Sequence, residues 1–113
     1  MRPLMIAPLF AAILALPLHA QEGDIAEGES QFRKCRACHM IQDDQGQDIV
    51  RGGRGGPNLW NIVGRKIASE PGYRYGDAIL QLAEAQPDMV WTEAELTDYI
   101  TDPNAWLQKQ TGD

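Results

Sequence analysis

Apolar residues crowd the first eighteen positions and afterwards thin into short, helix-spaced groups. Leu4 to Leu18 is apolar throughout, with prolines at 8 and 17. Beyond it, Ile25, Gly28, Phe32 and Cys35 recur at spacings of three, four and three. That is one stripe of a helix. Asp24 is placed to cap it, and Glu27 to complete a capping box. Gly28 inside the stripe costs about 1 kcal/mol relative to alanine and admits the close approach of another helix. No segment of the chain is an obvious partner for that Gly28/Phe32 face. Asp43 to Gly56 is polar and glycine-rich, hence loop. Asp77 can cap a helix through Ala78, Ile79, Leu80 and Leu82, broken at Gln86-Pro87-Asp88. Thr92 and Glu95 form a second capping box, after which Leu96, Tyr99 and Ile100 line one face. Asp102-Pro103 ends that helix and starts a short one through Leu107. No stretch alternates with period two, so the pattern predicts an all-α domain.

The apolar start does not belong to that domain. Met1-Arg2 is a short positive lead, and Leu18-His19-Ala20 ends on a small residue before polar Gln21-Glu22-Gly23-Asp24. This is the pattern of a secretory signal in residues 1–20, cut after Ala20. An uncleaved anchor is the competing reading. The run falls short of the ~20 residues of a spanning helix, and its two prolines weaken it further. The mature chain is then residues 21–113, one small domain exported to the periplasm as a soluble monomer, with no stable membrane insertion. The formal charge is -6, and it becomes -7 once Arg2 leaves with a segment that carries no acid. Such acidity argues against nucleic-acid binding. Basic residues cluster between Arg33 and Arg74, whereas from Asp77 onward acids face a single Lys109. This is either an ordinary solvated surface or a charge dipole that orients the protein on acidic partners.

Candidate chemistry concentrates in Cys35-Arg36-Ala37-Cys38-His39, which holds both cysteines and the only histidine outside the signal. Cys-x-x-Cys-His is the attachment signature of a c-type haem. The spacing lets both sulfurs reach the vinyl groups along one porphyrin edge, while His39 turns under the plane as proximal iron ligand. Three alternatives are duller. A thioredoxin-like dithiol belongs near a βαβ pattern, and none is visible. A zinc site wants four ligands, and only three crowded ones are present. A disulfide across four residues leaves His39 without a role. Export agrees with the haem, since haem c is attached outside the cytoplasm and no further cysteine remains for a disulfide.

The glycine-rich Arg51-Gly-Gly-Arg54-Gly-Gly lacks the Gly-Lys-Ser/Thr of a P-loop, and one RGG-like copy is poor support for RNA binding. It reads as a flexible approach to Gly56-Pro57-Asn58-Leu59. From there the chain runs Gly56-Pro57-Asn58-Leu59-Trp60, Val63-Gly64-Arg65-Lys66 and Gly72-Tyr73-Arg74-Tyr75. It continues through Trp91-Thr92-Glu93 and Leu96-Thr97-Asp98-Tyr99-Ile100-Thr101-Asp102-Pro103. With Cys35–His39, this ordered series resembles class I cytochrome c, above all the bacterial cytochrome c2 and c550 group. The resemblance covers essentially all of residues 21–113.

It implies the cytochrome c fold, a small helical domain wrapped round one haem c. It implies that the Pro57 carbonyl accepts from the second ring nitrogen of His39, and that Leu59 packs on the haem face. Arg65, Tyr75 and Trp91 would surround the propionates, with Tyr99 on the sixth-ligand side. For the aromatic residues, plain core packing is the alternative. The family's axial methionine and C-terminal helix would follow the last residue here, so the sixth ligand is not found in the chain. Met40 is adjacent to His39 and cannot cross to the opposite haem face, and Met89 falls at an ordinary core or loop position. Either the chain continues, or the sixth site is open. The first case implies a non-enzymatic, exported electron carrier working between respiratory or photosynthetic complexes. Its partners would be a cytochrome bc1 complex and an oxidase, reaction centre or reductase. The second implies a ligand-binding or peroxidatic haem protein.

Overall fold

The computed structural model describes residues 3–5, 8, 9, 11, 12 and 23–112. The cut after Ala20 lies outside the described residues, as does much of the apolar run before it. No helix among the described residues is long and apolar enough to cross a membrane.

Helix α1, Ile25–Gln31, starts where Asp24 Oδ1 accepts the Glu27 N–H at 3.1 Å. The capping box is only half made, because the Glu27 carboxylate accepts from Gln31 Nε2 at 2.8 Å instead. The helix then tightens into a 3₁₀ turn, Phe32–Lys34, which delivers Cys35. No residue of α1 is buried, and nothing described lies within 4 Å of the Cβ that Gly28 lacks.

The segment predicted as loop contains a small hairpin. Strands β1 (Ile41–Gln42) and β2 (Asp48–Val50) pair antiparallel, with Ile41 opposite Val50 and Gln42 opposite Asp48. Asp43 closes the turn, its Oδ1 accepting the N–H groups of Gln45 at 3.0 Å and Gln47 at 2.8 Å. Strands of two and three residues are too short to print a period-two pattern, which is why the sequence did not announce them.

Three helices complete the domain. In α2, Asp77–Ala85, the N-cap is Gly76; Asp77 is already helical and makes no cap bond. Its carboxylate still sits at the positive end of the helix dipole. Helix α3, Glu93–Thr101, is capped as expected, with Thr92 Oγ1 accepting the Glu95 N–H at 3.1 Å. Asp102 closes α3 and caps α4, Pro103–Thr111, through the Ala105 N–H at 3.0 Å. Helix α4 therefore runs a turn beyond Leu107.

Helix α4 packs across α2 and α3 and carries Trp106 into the core formed by Ile67, Leu82, Trp91 and Trp106. The Trp106 ring stacks on Trp91 with centroids 5.1 Å apart, and Tyr99 meets it edge-on at 5.4 Å. The indole N–H donates to the Glu95 carboxylate, which explains why Glu95 does not complete the capping box. Beside this cluster two connecting segments are zipped together. Trp91 N–H donates to Arg65 O at 2.9 Å, Gly64 N–H to Trp91 O at 2.6 Å and Ile67 N–H to Met89 O at 3.1 Å. Arg65 and Trp91 are thereby fixed side by side. Trp106 is 4% exposed, so Trp106→Ala should lower the unfolding free energy by about 3–5 kcal/mol in denaturant titrations.

Candidate cofactor site

The pentapeptide Cys35–His39 forms a tight turn, with the N–H groups of Cys38 and His39 both donating to Cys35 O at 3.1 and 2.9 Å. The glycine loop lies directly against it. Gly53 N–H donates to Arg36 O at 2.9 Å, Gly56 N–H to Cys38 O at 2.7 Å, and Arg36 Nε to Arg51 O at 3.2 Å. A Cβ on Gly52 would collide with the His39 carbonyl, and one on Gly56 with the His39 imidazole. The loop predicted as a flexible approach is therefore a fitted backing plate, in which close approach requires glycine at 52, 53 and 56.

Past the plate, the Pro57 carbonyl accepts from His39 Nδ1 at 2.8 Å. A carbonyl has no proton to give, so Nδ1 carries the hydrogen and Nε2 keeps its lone pair for a ligand. Asn58 locks this stretch to the hairpin. Its side chain donates to Gln42 O at 2.8 Å and accepts the Gln42 N–H at 3.0 Å.

His39 opens onto a cleft walled by Cys35, Pro57, Leu59, Ile62, Ile79, Leu96 and Ile100. Its remaining lining is Arg65, Lys66, Tyr73, Tyr75, Gly76, Trp91 and Tyr99. Of the residues singled out in the sequence, Cys35, His39, Pro57, Leu59, Arg65, Tyr75, Trp91 and Tyr99 thus converge on one cleft. Cys38 is exposed on the same turn. Met89 is elsewhere, packed against the Ile67–Leu82–Trp91–Trp106 core. Sequence reasoning missed Tyr73, Lys66 and Ile62. Tyr73 was legible only as part of a motif, yet its hydroxyl donates to Gly55 O at 2.9 Å and ties the 70–76 segment to the glycine plate.

The donor set fits a haem c. Two exposed thiols three residues apart flank an imidazole whose free lone pair sits at the mouth of an apolar cleft. A flat apolar macrocycle needs such walls, and its carboxylates need donors. Arg65, Tyr75 and Trp91, which carry N–H and O–H donors, are part of the same lining. Arg65 is not idle there: its Nη1 donates to Asn58 O at 2.8 Å, Trp60 O at 3.2 Å and Glu70 Oε2 at 3.1 Å. Tyr75 accepts the Glu70 N–H at 2.9 Å.

Burial raises the phenols of Tyr75 and Tyr99 above the ordinary value of 10.0. At Tyr75 the Glu70 N–H bond and the Arg65 charge pull the other way without prevailing. Both phenols therefore stay protonated as donors at neutral pH. A raised native value means that the native state holds the proton more tightly than the unfolded chain. The resulting stability is complete below pH ~10 and is lost as pH climbs through the raised values. Tyr99→Phe should flatten that alkaline loss, which denaturant melts from pH 8 to beyond pH 11 would show.

Comparison with known proteins places these features in a group. No protein-family model matches the chain. Cytochrome c-550 of Paracoccus versutus is 61% identical over 107 residues, spanning 95% of this chain and 70% of that protein. Cytochrome c2 of Rhodobacter capsulatus is 39% identical over 110 residues, spanning 97% of this chain and 77% of that protein. The X-ray structure of ferric cytochrome c-550 from Paracoccus versutus superposes with a TM-score of 0.80, covering 81% of this chain and 77% of that one.

Proposed function

The chain belongs to the class I c-type cytochromes, in the group of cytochromes c-550 and c2, and from that membership we propose how its own residues carry single electrons. It is a mono-haem electron carrier with one covalently attached haem c. The ligand-binding alternative draws no support from its relatives, which are cytochromes c-550 and c2.

Cys35 and Cys38 would supply the two thioether bonds, and His39 Nε2 would bind the iron. Once bound, the haem iron would supply the chemistry, a one-electron change between ferric and ferrous states. The single observation that carries this reading is the His39 Nδ1–H bond to Pro57 at the cleft mouth. A ring held by its second nitrogen keeps its tautomer and orientation in both redox states, and gains basicity as a ligand. Leu59 would pack on the macrocycle, Tyr99 would stand on the sixth-ligand side, and Arg65, Tyr75 and Trp91 would receive the propionates. Rigid walls keep rearrangement small on electron exchange, as a carrier needs.

Its partners are redox proteins. A cytochrome bc1 complex fits as donor, with an oxidase, reaction centre or reductase as acceptor. Arg36, Arg51 and Arg54 are exposed on the attachment turn and the loop against it; Arg36 Nε donates to the Arg51 carbonyl, and Arg51 Nε lies 3.8 Å from the Asp48 carboxylate. This basic patch suits docking on acidic surfaces. The periplasm is the proposed compartment, reached through residues 1–20, and the protein catalyses no reaction of its own.

Intact mass and optical spectroscopy test the site. Protein from cells able to attach haem c should exceed the apoprotein mass by one haem. Cys35→Ser should leave a single thioether and shift the reduced α-band to longer wavelength. An apoprotein mass for the parent chain would overturn the assignment. For the partners, oxidation by a membrane oxidase should slow severalfold as salt rises from 50 to 200 mM, and Arg51→Glu with Arg54→Glu should weaken that dependence.

A further inference from the structure

One side chain stands behind two of the groups at the polar end of the cleft. Glu70 lies on no helix or strand and was not singled out in the sequence. Its carboxylate pairs with Arg65 at 3.1 Å, with the two side chains only 24% and 17% exposed. Arg65 Nη1 has two hydrogens and serves three acceptors, the carbonyls of Asn58 and Trp60 and the Glu70 carboxylate. One of those hydrogens is therefore shared, and Nη1 has nothing left for a further acceptor. Only Nε and Nη2 remain to meet another anion. The same residue also acts through its backbone. The Glu70 N–H donates to the Tyr75 oxygen at 2.9 Å. With that lone pair taken, the Tyr75 proton is directed away from Glu70.

We propose that Glu70 is the positioning and charge-setting residue of the propionate end. Its carboxylate offsets the Arg65 guanidinium and lowers the reduction potential, while its N–H orients the Tyr75 hydroxyl as a donor. This rests on the haem reading above. The sign follows from charge. Reduction of the iron adds one negative charge to the cleft, so a nearby cation favours the ferrous state and a nearby anion opposes it. An arginine facing the cleft uncompensated would raise the potential. Glu70 neutralises most of that effect at short range, where the partly buried pair is poorly screened. Lys66, the other cation lining the cleft, pairs with Asp88 at 3.7 Å through an exposed Nζ. It is therefore the weaker influence.

The test is Glu70→Gln in the holoprotein. Glutamine keeps the length and the backbone N–H, and leaves the two carbonyl bonds of Arg65 intact. The midpoint potential should rise, so that at a fixed poise the ratio of reduced to oxidised protein increases about three- to tenfold, tenfold being about 59 mV for one electron. The Tyr75 phenol, followed by NMR of ring-labelled tyrosine, should ionise at lower pH once the neighbouring negative charge is gone. Glu70→Ala should shift the potential in the same direction, which guards against a peculiarity of glutamine. A potential that is unchanged or lowered in both variants, with haem attached and a normal spectrum, overturns the role of Glu70 and leaves the carrier reading standing. A parent chain without haem would instead overturn the reading beneath it.

Discussion

The hydrogen bond from His39 Nδ1 to the Pro57 carbonyl is the constraint on which the rest depends. It forms only if residues 52–57 lie flat on the attachment turn, and that contact leaves no room for a Cβ at Gly52 or Gly56. The hairpin fixes where the glycine loop departs from the turn and where it returns. Asn58 then fastens the return to Gln42. Its own carbonyl is one of the three acceptors of Arg65 Nη1. A continuous path of hydrogen bonds, through the Pro57–Asn58 backbone, therefore links the His39 ring to the Arg65 guanidinium in the lining of the same cleft. Each bond in it is worth about 1 kcal/mol net, but the path sets geometry at both ends together.

Local rules were the legible part of the sequence. Asp24 and Thr92 cap their helices as the pattern predicts, and Asp102 serves two helices at once. Each of these depends on residues three or four apart, which is the range over which sequence spacing reports geometry. The shift of the α2 cap from Asp77 to Gly76 is of the same local kind and leaves the helix in place. What sequence did not disclose is what long-range contact decides. The glycines of the plate look like flexibility until the attachment turn is seen lying on them. Trp106 sits in a mostly polar helix and looks peripheral until α4 folds it onto Trp91. Glu70 is five residues from Arg65 in an irregular segment, where no periodicity signals a pair. The site residues from Cys35 to Tyr99 were legible through an ordered series of motifs, and the structure gathers them without needing any one helix to carry them all.

The core explains why the cofactor is a structural element as well as a reactive one. Among the described residues only Ile67, Leu82, Trp91 and Trp106 are buried and apolar, a small core even for a domain this size. Leu59, Ile62, Ile79, Leu96 and Ile100 instead face the cleft, and Ile100 is 73% exposed. Ile62, Ile79 and Leu96 already pack in part against the core, and a large apolar body in the cleft would cover the surface that they and Ile100 still present. At about 25 cal/mol per Å² of apolar surface removed from water, covering several of them contributes several kcal/mol. Stability and electron carriage thus share one set of contacts, and any substitution in the cleft wall acts on both.

The aromatic cluster behind the cleft shows how the two demands are kept apart. Trp91 lines the cleft with one part of its surface and stacks on Trp106 with another. Trp106 is held in turn by the Glu95 carboxylate and the edge of Tyr99. A ring supported on its far side cannot follow small changes in charge at its near side. That is the property a carrier requires, since motion coupled to the electron adds to the barrier for its transfer. The polar end is built on the opposite plan. Arg65 divides its hydrogen bonds between the loop that orients His39 and the carboxylate of Glu70, so its charge is adjustable by one neighbour while its position is not. Rigidity lies with the indoles and backbone bonds, and adjustment lies with a single ion pair. On the role proposed for Glu70, the charge at this end is set through that pair without disturbing the histidine.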